Sequence, residues 1–138
     1  KMKAFITENE SNYIKFTGKI QDVENINPLF NIGVLLSYTT SSHGEGISNS
    51  ILEYMAFSKP VITTESGGNP EVVKNNETGI LVPPQNQDAF YNALKLLLDN
   101  DQLQTKYGKN GYKTLKANFS MQNMIEKYNS LYNYTLHL

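Results

Sequence analysis

The sequence has no cysteine, which excludes disulfides, thiolate metal sites and a cysteine nucleophile. Histidine is nearly absent as well. His43 sits in a polar stretch and His137 in the C-terminal tail, too few for a multi-histidine metal centre. There is no basic block: 12 Lys and Arg against 13 Asp and Glu give a net charge of −1. Nucleic acid and anionic membrane surfaces both select for such a block, so neither is an expected partner. No apolar run approaches the roughly 18 residues that a membrane span requires. The first residues, Lys1-Met2-Lys3-Ala4, do not open a long apolar signal segment. A cytoplasmic protein without a membrane span is the expectation. What is present is 138 residues, 39% hydrophobic and 18% charged. That is the size and make-up of one packed domain, expected over residues 1–138, and not of a disordered chain.

Hydrophobic patterning changes once along the chain. At first, short apolar runs alternate with amphipathic stretches. Tyr13 to Thr17 reads as a strand stopped by Gly18, and Asp22 heads a short helix running to Phe30. Ile32 to Ser37 is apolar almost throughout and reads as a strand buried on both faces. A polar loop, Tyr38 to Gly46, leads into a helix ending near Phe57. Pro60 to Thr64 is the next strand, its proline tolerated as the first residue. Asn69-Pro70-Glu71 has the cap, early proline and first-turn acid of a helix start. Thr78 to Val82 is one more strand, closed by Pro83-Pro84. This alternation predicts an α/β fold: a Rossmann-like, doubly wound parallel sheet flanked by helices, with its first βα unit missing. From Asp88 onward only helical periodicity remains. Phe90, Ala93, Leu94, Leu97 and Leu98 form one apolar stripe, and Leu103, Tyr107, Tyr112 and Leu115 a second. A C-terminal helix over 120–138 carries Met124, Tyr128, Leu131 and Tyr132 on its apolar side.

In open α/β sheets, ligands bind beyond the carboxyl ends of the strands, which directs attention to two loops. The first runs from Ser37 to Gly46. Gly44 and Gly46 flank Glu45 and let backbone approach a ligand. Beyond them the N–H groups of Ile47, Ser48 and Asn49 open a helix, an arrangement suited to phosphate. Glu45 can accept hydrogen bonds from sugar hydroxyls, or can merely complement the helix dipole. Glu53 lies about a turn and a half along the same helix, as a second acceptor or as part of a solvated face. Hydroxyl acceptors on either side of a phosphate-binding helix start would suit a nucleotide-sugar. The second loop, Thr64 to Glu71, has paired glycines before a helix and reads as a backbone-lined anion pocket or a plain βα turn. Asp99-Asn100-Asp101 has the D-x-D spacing of some metal-dependent sugar transferases, but it falls between two helices, where these residues ordinarily cap.

The order of short motifs carries a resemblance. Phe16-Thr17-Gly18 and Asp22-Val23 precede the buried strand ending at Ser37. Glu45-Gly46-Ile47-Ser48-Asn49-Ser50-Ile51-Leu52-Glu53 follows, then Met55-Ala56, Lys59-Pro60-Val61-Ile62, Gly67-Gly68, Glu71-Val72-Val73 and Thr78-Gly79-Ile80-Leu81-Val82. Over residues 13–98 this resembles the C-terminal, donor-binding domain of glycosyltransferase family four, retaining enzymes of the GT-B fold. The resemblance implies that Glu45 contacts the transferred sugar and is the catalytic candidate. It implies that Gly46, Ile47 and Ser48 approach the sugar and diphosphate through their backbone amides, and that Glu53 binds the ribose hydroxyls. Gly18 and Lys19 would lie near the base. No metal and no cofactor is implied beyond the nucleoside-diphosphate sugar itself. An acceptor glycan would be held by an N-terminal domain outside these residues, in cell-surface polysaccharide synthesis, with the full protein cytoplasmic or peripheral at the inner face of the membrane. The fragment alone is expected to be inactive. Ser58 replaces a usual glycine and Tyr54 a usual alanine, and the family's basic diphosphate-binding pair is absent. A non-catalytic nucleotide-sugar-binding module and a GT-B-type epimerase remain alternatives. A nicotinamide dehydrogenase is disfavoured by the missing glycine fingerprint.

Overall fold

In a computed structural model of the protein, residues 12–38 and 46–136 are described. Three short parallel strands form the sheet: β1 (Gly33–Leu35), β2 (Val61–Thr64) and β3 (Gly79–Val82), in the order β1-β2-β3. The register pairs Val34 with Ile62 and Ile62 with Ile80. Each crossover is helical, as parallel pairing demands. Helix α1 (Asn49–Ala56) links β1 to β2, and α2 (Asn69–Val72) links β2 to β3. Three helices then follow: α3 (Gln87–Leu98), α4 (Asp101–Asn118) and α5 (Met121–Leu136).

Strand side chains alternate between faces, and the core is split accordingly. Ile62, Ile80 and Val82 pack with Ala93 and Leu97 of α3 and with Tyr107 of α4. On the opposite face Val61 packs with Ile51 and Met55 of α1 and with Val72 and Val73. β2 is buried along its whole length. The expected parallel sheet flanked by helices is therefore the fold, but several local expectations need correction. Tyr13–Thr17 is not a strand and is exposed. A strand needs a ladder partner, and among the described residues no strand pairs with this segment. Residues 22–30 form two 3-10 turns, Val23–Asn25 and Asn27–Leu29, instead of one helix. Pro28 lacks the N–H that a continuing helix requires. The strand expected over 32–37 shrinks to three residues, with Leu36 exposed and Val34 and Leu35 half-buried.

Helix ends follow their sequence signals more closely. Asn86 caps α3 by accepting from the Ala89 N–H at 3.0 Å, and Asn100 caps α4 by accepting from the Leu103 N–H at 2.9 Å. Asp99 pairs with Lys95 at 2.7 Å one turn back, so Asp99-Asn100-Asp101 acts as a helix junction. Leu98, Tyr112 and the whole α5 set of Met124, Tyr128, Leu131 and Tyr132 are exposed. No described residue of α5 is buried. Its stripe has no facing element among the described residues, and Tyr128 and Tyr132 stack on each other instead, at 6.5 Å. Among the described residues no helix is long and apolar enough to cross a membrane.

The contact of α4 with the end of α1 was not legible from apolar spacing. α1 closes with the Ser58 N–H donating to Met55 O at 3.0 Å and the Lys59 N–H to Tyr54 O at 2.9 Å. This paired closure puts Ser58 in the left-handed region, at φ 55°, where glycine is the comfortable residue. Gly108 of α4 lies directly on the Ser58 carbonyl, where a Cβ would overlap the oxygen. Two opposite outcomes are expected in urea unfolding. Ser58→Gly should raise stability by up to about 1 kcal/mol by removing left-handed strain. Gly108→Ala should lower it by roughly 1–3 kcal/mol through overpacking.

Candidate functional site

All three strands run the same way, so their carboxyl ends meet at one edge of the sheet. The chain leaving that edge is fastened by side chains of β2. The Thr63 hydroxyl donates to Leu35 O at 2.8 Å, and the Thr64 hydroxyl to Ser37 O. The Glu65 N–H reaches Val82 O at 2.8 Å. Asn69 is buried and donates through Nδ2 to Thr63 Oγ1 at 2.9 Å and to Thr64 O at 3.1 Å. It is the first residue of α2 and not its cap; Gly68 holds the cap position. The short side chain is drawn inward by these two acceptors, which tie the end of β2 to the following loop.

The two glycine-bearing loops meet. Gly68 lies against the backbone of Gly46 and Ile47, and a Cβ there would come 2.8 Å from Gly46 C and from Ile47 N. The Gly67-Gly68 loop therefore shares a surface with the lead-in to α1. It is a buttress beneath the start of α1. α1 begins at Asn49 with Ser48 in the cap position, one residue or two later than its sequence suggested. Ser48 is buried and its carbonyl accepts from the Ile51 N–H at 3.2 Å. The positive end of the helix dipole is at Asn49 and Ser50, and no acidic side chain lies in the first turn to neutralise it. Gly46 and Ile47 are exposed immediately ahead of it.

Glu53 is exposed on α1, four residues or about 6 Å beyond Asn49 along the axis. It lines a groove of about 440 Å³ between α1 and the end of α4, with Asn49, Leu52, Lys116 and Phe119 among its walls. On its other side the Asn27 side chain lies 3.5 Å away, Nδ2 to Oε2. Gly46, Ile47, Ser48 and Glu53 are thus brought onto one helix and its lead-in. Glu45 and His43 lie outside the described residues. Gly18, at φ 66°, and Lys19 are exposed and line neither this groove nor the second hollow described next. That hollow, of about 250 Å³, sits at the strand ends between Ser37, Thr64, Val82 and Phe90. The roots of both candidate loops, Ser37, Tyr38 and Thr64, line it, whereas Gly18, Lys19, Gly46, Ile47, Ser48 and Glu53 do not. Among the described residues no cluster of three His, Asp or Glu side chains could hold a metal ion.

Two contributors escaped sequence reading. Asn27 precedes Pro28 in a turn, and the Asn-Pro pair signals the turn but not its contact with Glu53. The paired glycines at 67–68 point to a backbone-lined turn, but not to the close approach of Gly68 to Gly46 and Ile47.

Comparison with known proteins places this geometry. The family model described as Glycosyl transferases group 1 matches residues 2–114. The capsular polysaccharide biosynthesis glycosyltransferase CapM of Staphylococcus aureus is 35% identical over 92 residues, covering 67% of this chain and 24% of that protein. The C-terminal domain of a glycosyl transferase group 1 protein, LpcC of Francisella tularensis, superposes with a TM-score of 0.66 at 28% identity, covering 78% of this chain and 53% of that one. HepE of Anabaena, in complex with UDP, gives a TM-score of 0.78 at 21% identity over 88% of this chain and 34% of that one, a likeness of fold. This chain thus spans about a quarter of the curated relative, and 53% and 34% of the two solved neighbours.

Tyr54, next to Glu53, reports on the site's electrostatics. Burial first, and the Glu53 carboxylate second, raise its pKa above the ordinary 10.0. The neutral phenol is favoured in the folded state, so its contribution to stability is complete below pH 10. It drains as pH rises beyond 10, where the unfolded chain gives up the proton first. Followed by phenolate absorbance, Glu53→Gln should move the Tyr54 titration part of the way back toward 10.0. An unmoved titration would mean that the carboxylate does not lie beside the ring.

Proposed function

The chain belongs to the glycosyl transferases group 1 family, and on that premise we propose that it is the donor-binding domain of a retaining family-four enzyme of the GT-B fold. The full protein takes a hexosyl group from a nucleoside-diphosphate sugar and passes it to a glycan acceptor held by an N-terminal domain, in cell-surface polysaccharide synthesis. The observation that carries this reading is the acid-free N-terminus of α1 with Glu53 one turn along the same helix. The buttress of Gly68 under Gly46 and Ile47 holds the lead-in where backbone can meet a diphosphate.

The chemistry follows from charge. As the bond from the anomeric carbon to the diphosphate oxygen breaks, negative charge grows on the leaving diphosphate. Backbone N–H groups around Gly46, Ile47 and Ser48, backed by the helix dipole, stabilise it without reorganising. Glu45 orients the sugar through its hydroxyls, and Glu53 fixes the ribose and so the register of the whole donor. No metal is needed in this scheme, because the dipole and amides supply the positive field. UDP in the HepE structure supports a nucleoside-diphosphate ligand for a domain of this shape. Gly18 and Lys19 are proposed near the base.

Calorimetric titration of the chain with UDP and GDP is expected to show binding of at least one. Glu53→Ala should weaken that binding roughly 10- to 100-fold, the loss expected for hydrogen bonds to a charged group. In the full-length enzyme the Glu45→Ala, Glu53→Ala double variant should lose nearly all transfer. Undiminished transfer by that variant would sink the assignment.

A further inference from the structure

We propose that Asn27 is a positioning residue for Glu53: its buried side-chain amide holds one carboxylate oxygen so that the other faces the ligand. The proposal rests on the reading of Glu53 as a ribose anchor.

Asn27 is 1% exposed, unusual for an asparagine, and it opens a three-residue 3-10 turn whose next residue is Pro28. A buried amide left without acceptors is costly. For Nδ2 the structure provides Glu53 Oε2, at 3.5 Å. The nitrogen must be the atom that faces the carboxylate, since the amide oxygen and a carboxylate oxygen are both acceptors. The separation is at the long end for a hydrogen bond.

The turn carrying Asn27 is tied to α1 at two further points. Lys59, just past the end of α1, donates from Nζ to Pro28 O at 2.7 Å. Phe30 meets the Tyr54 ring edge-on, with centroids 6.1 Å apart and planes at 66°. The turn is thus fastened to α1 on the residue after Glu53 and again beyond the helix end, with Asn27 between these fastenings and the carboxylate. An exposed glutamate ordinarily samples many rotamers and loses that freedom on binding. A donor fixed to the same helix removes part of the loss beforehand. One amide N–H engages one oxygen, and Oε1 stays available to accept from a pair of vicinal hydroxyls.

This division of labour predicts an effect confined to ligands that carry the hydroxyls. The chain as wild type, Glu53→Gln, Asn27→Ala and Asn27→Asp should be titrated with UDP, GDP and their 2′,3′-dideoxy counterparts, which lack both hydroxyls. Asn27→Asp keeps the shape of the side chain and replaces the donor by a second negative charge, so it serves if Asn27→Ala fails to fold. Wild type should prefer the ribonucleotide. Both Asn27 variants should reduce that preference roughly three- to tenfold while leaving the affinity for the dideoxynucleotide unchanged, and Glu53→Gln should reduce it as well. Equal weakening of ribo and dideoxy ligands would assign Asn27 a purely structural part and overturn the proposal. So would an intact preference in the Asn27 variants alongside its loss in Glu53→Gln, with the ribose reading left standing. A wild type that binds neither nucleotide, or does not distinguish the two sugars, would remove the ribose reading and this proposal together.

Discussion

Strand β2 is paired on both edges and buried on both faces, and the positions of the functional elements are set from it. A four-residue strand in that situation must present apolar groups to helices on each side, which Val61 and Ile62 do toward α1 and α3. Its last two residues are threonines, buried yet polar, and each hydroxyl binds a carbonyl of the chain leaving β1. Burial of an unpaired hydroxyl would be costly. The threonines therefore serve only where they have acceptors, and here those acceptors are the roots of the candidate donor loop. Thr63 also accepts from Asn69, so one strand end ties two loops.

A second layer of constraint comes from close backbone approach. Gly108 lets α4 rest on the Ser58 carbonyl, which carries α4 toward the groove that Glu53 lines. Lys59, emerging from the same helix end, reaches back to Pro28. The end of α1 is thus a junction where a left-handed serine, a helical glycine and a lysine converge. Glu53 sits about a turn and a half from that junction, on the same helix.

Much of this was legible in the sequence because it depends on local patterns. The β2 and β3 runs, the capping residues of Asp99-Asn100-Asp101, and the proline at the start of α2 all declare themselves within a few residues. The helix that carries Glu53 was legible for the same reason. What failed depends on partners distant in sequence. Tyr13–Thr17 has strand composition but no ladder to join among the described residues. α5 has amphipathic spacing but no element among the described residues covers it, and Met124 and Leu131 are exposed. Asn69 looked like a cap because capping residues are read from neighbours alone, whereas Thr63 and Thr64 claim its side chain. Asn27 and Gly68 were missed for that reason too: each matters through a residue more than twenty positions away.

The meeting of Gly68 with Gly46 and Ile47 has a bearing on how such a domain can be altered. Two loops that share a van der Waals surface are one unit for evolution and for engineering. A donor loop transplanted from a relative brings a backbone path shaped to its own buttress, and on a foreign one it must either lift or clash. If the domain binds the donor as proposed, exchanges of donor preference should therefore move residues 37–49 and 64–69 as a single cassette. The glycine pair then belongs to that cassette through its contact with Gly46 and Ile47.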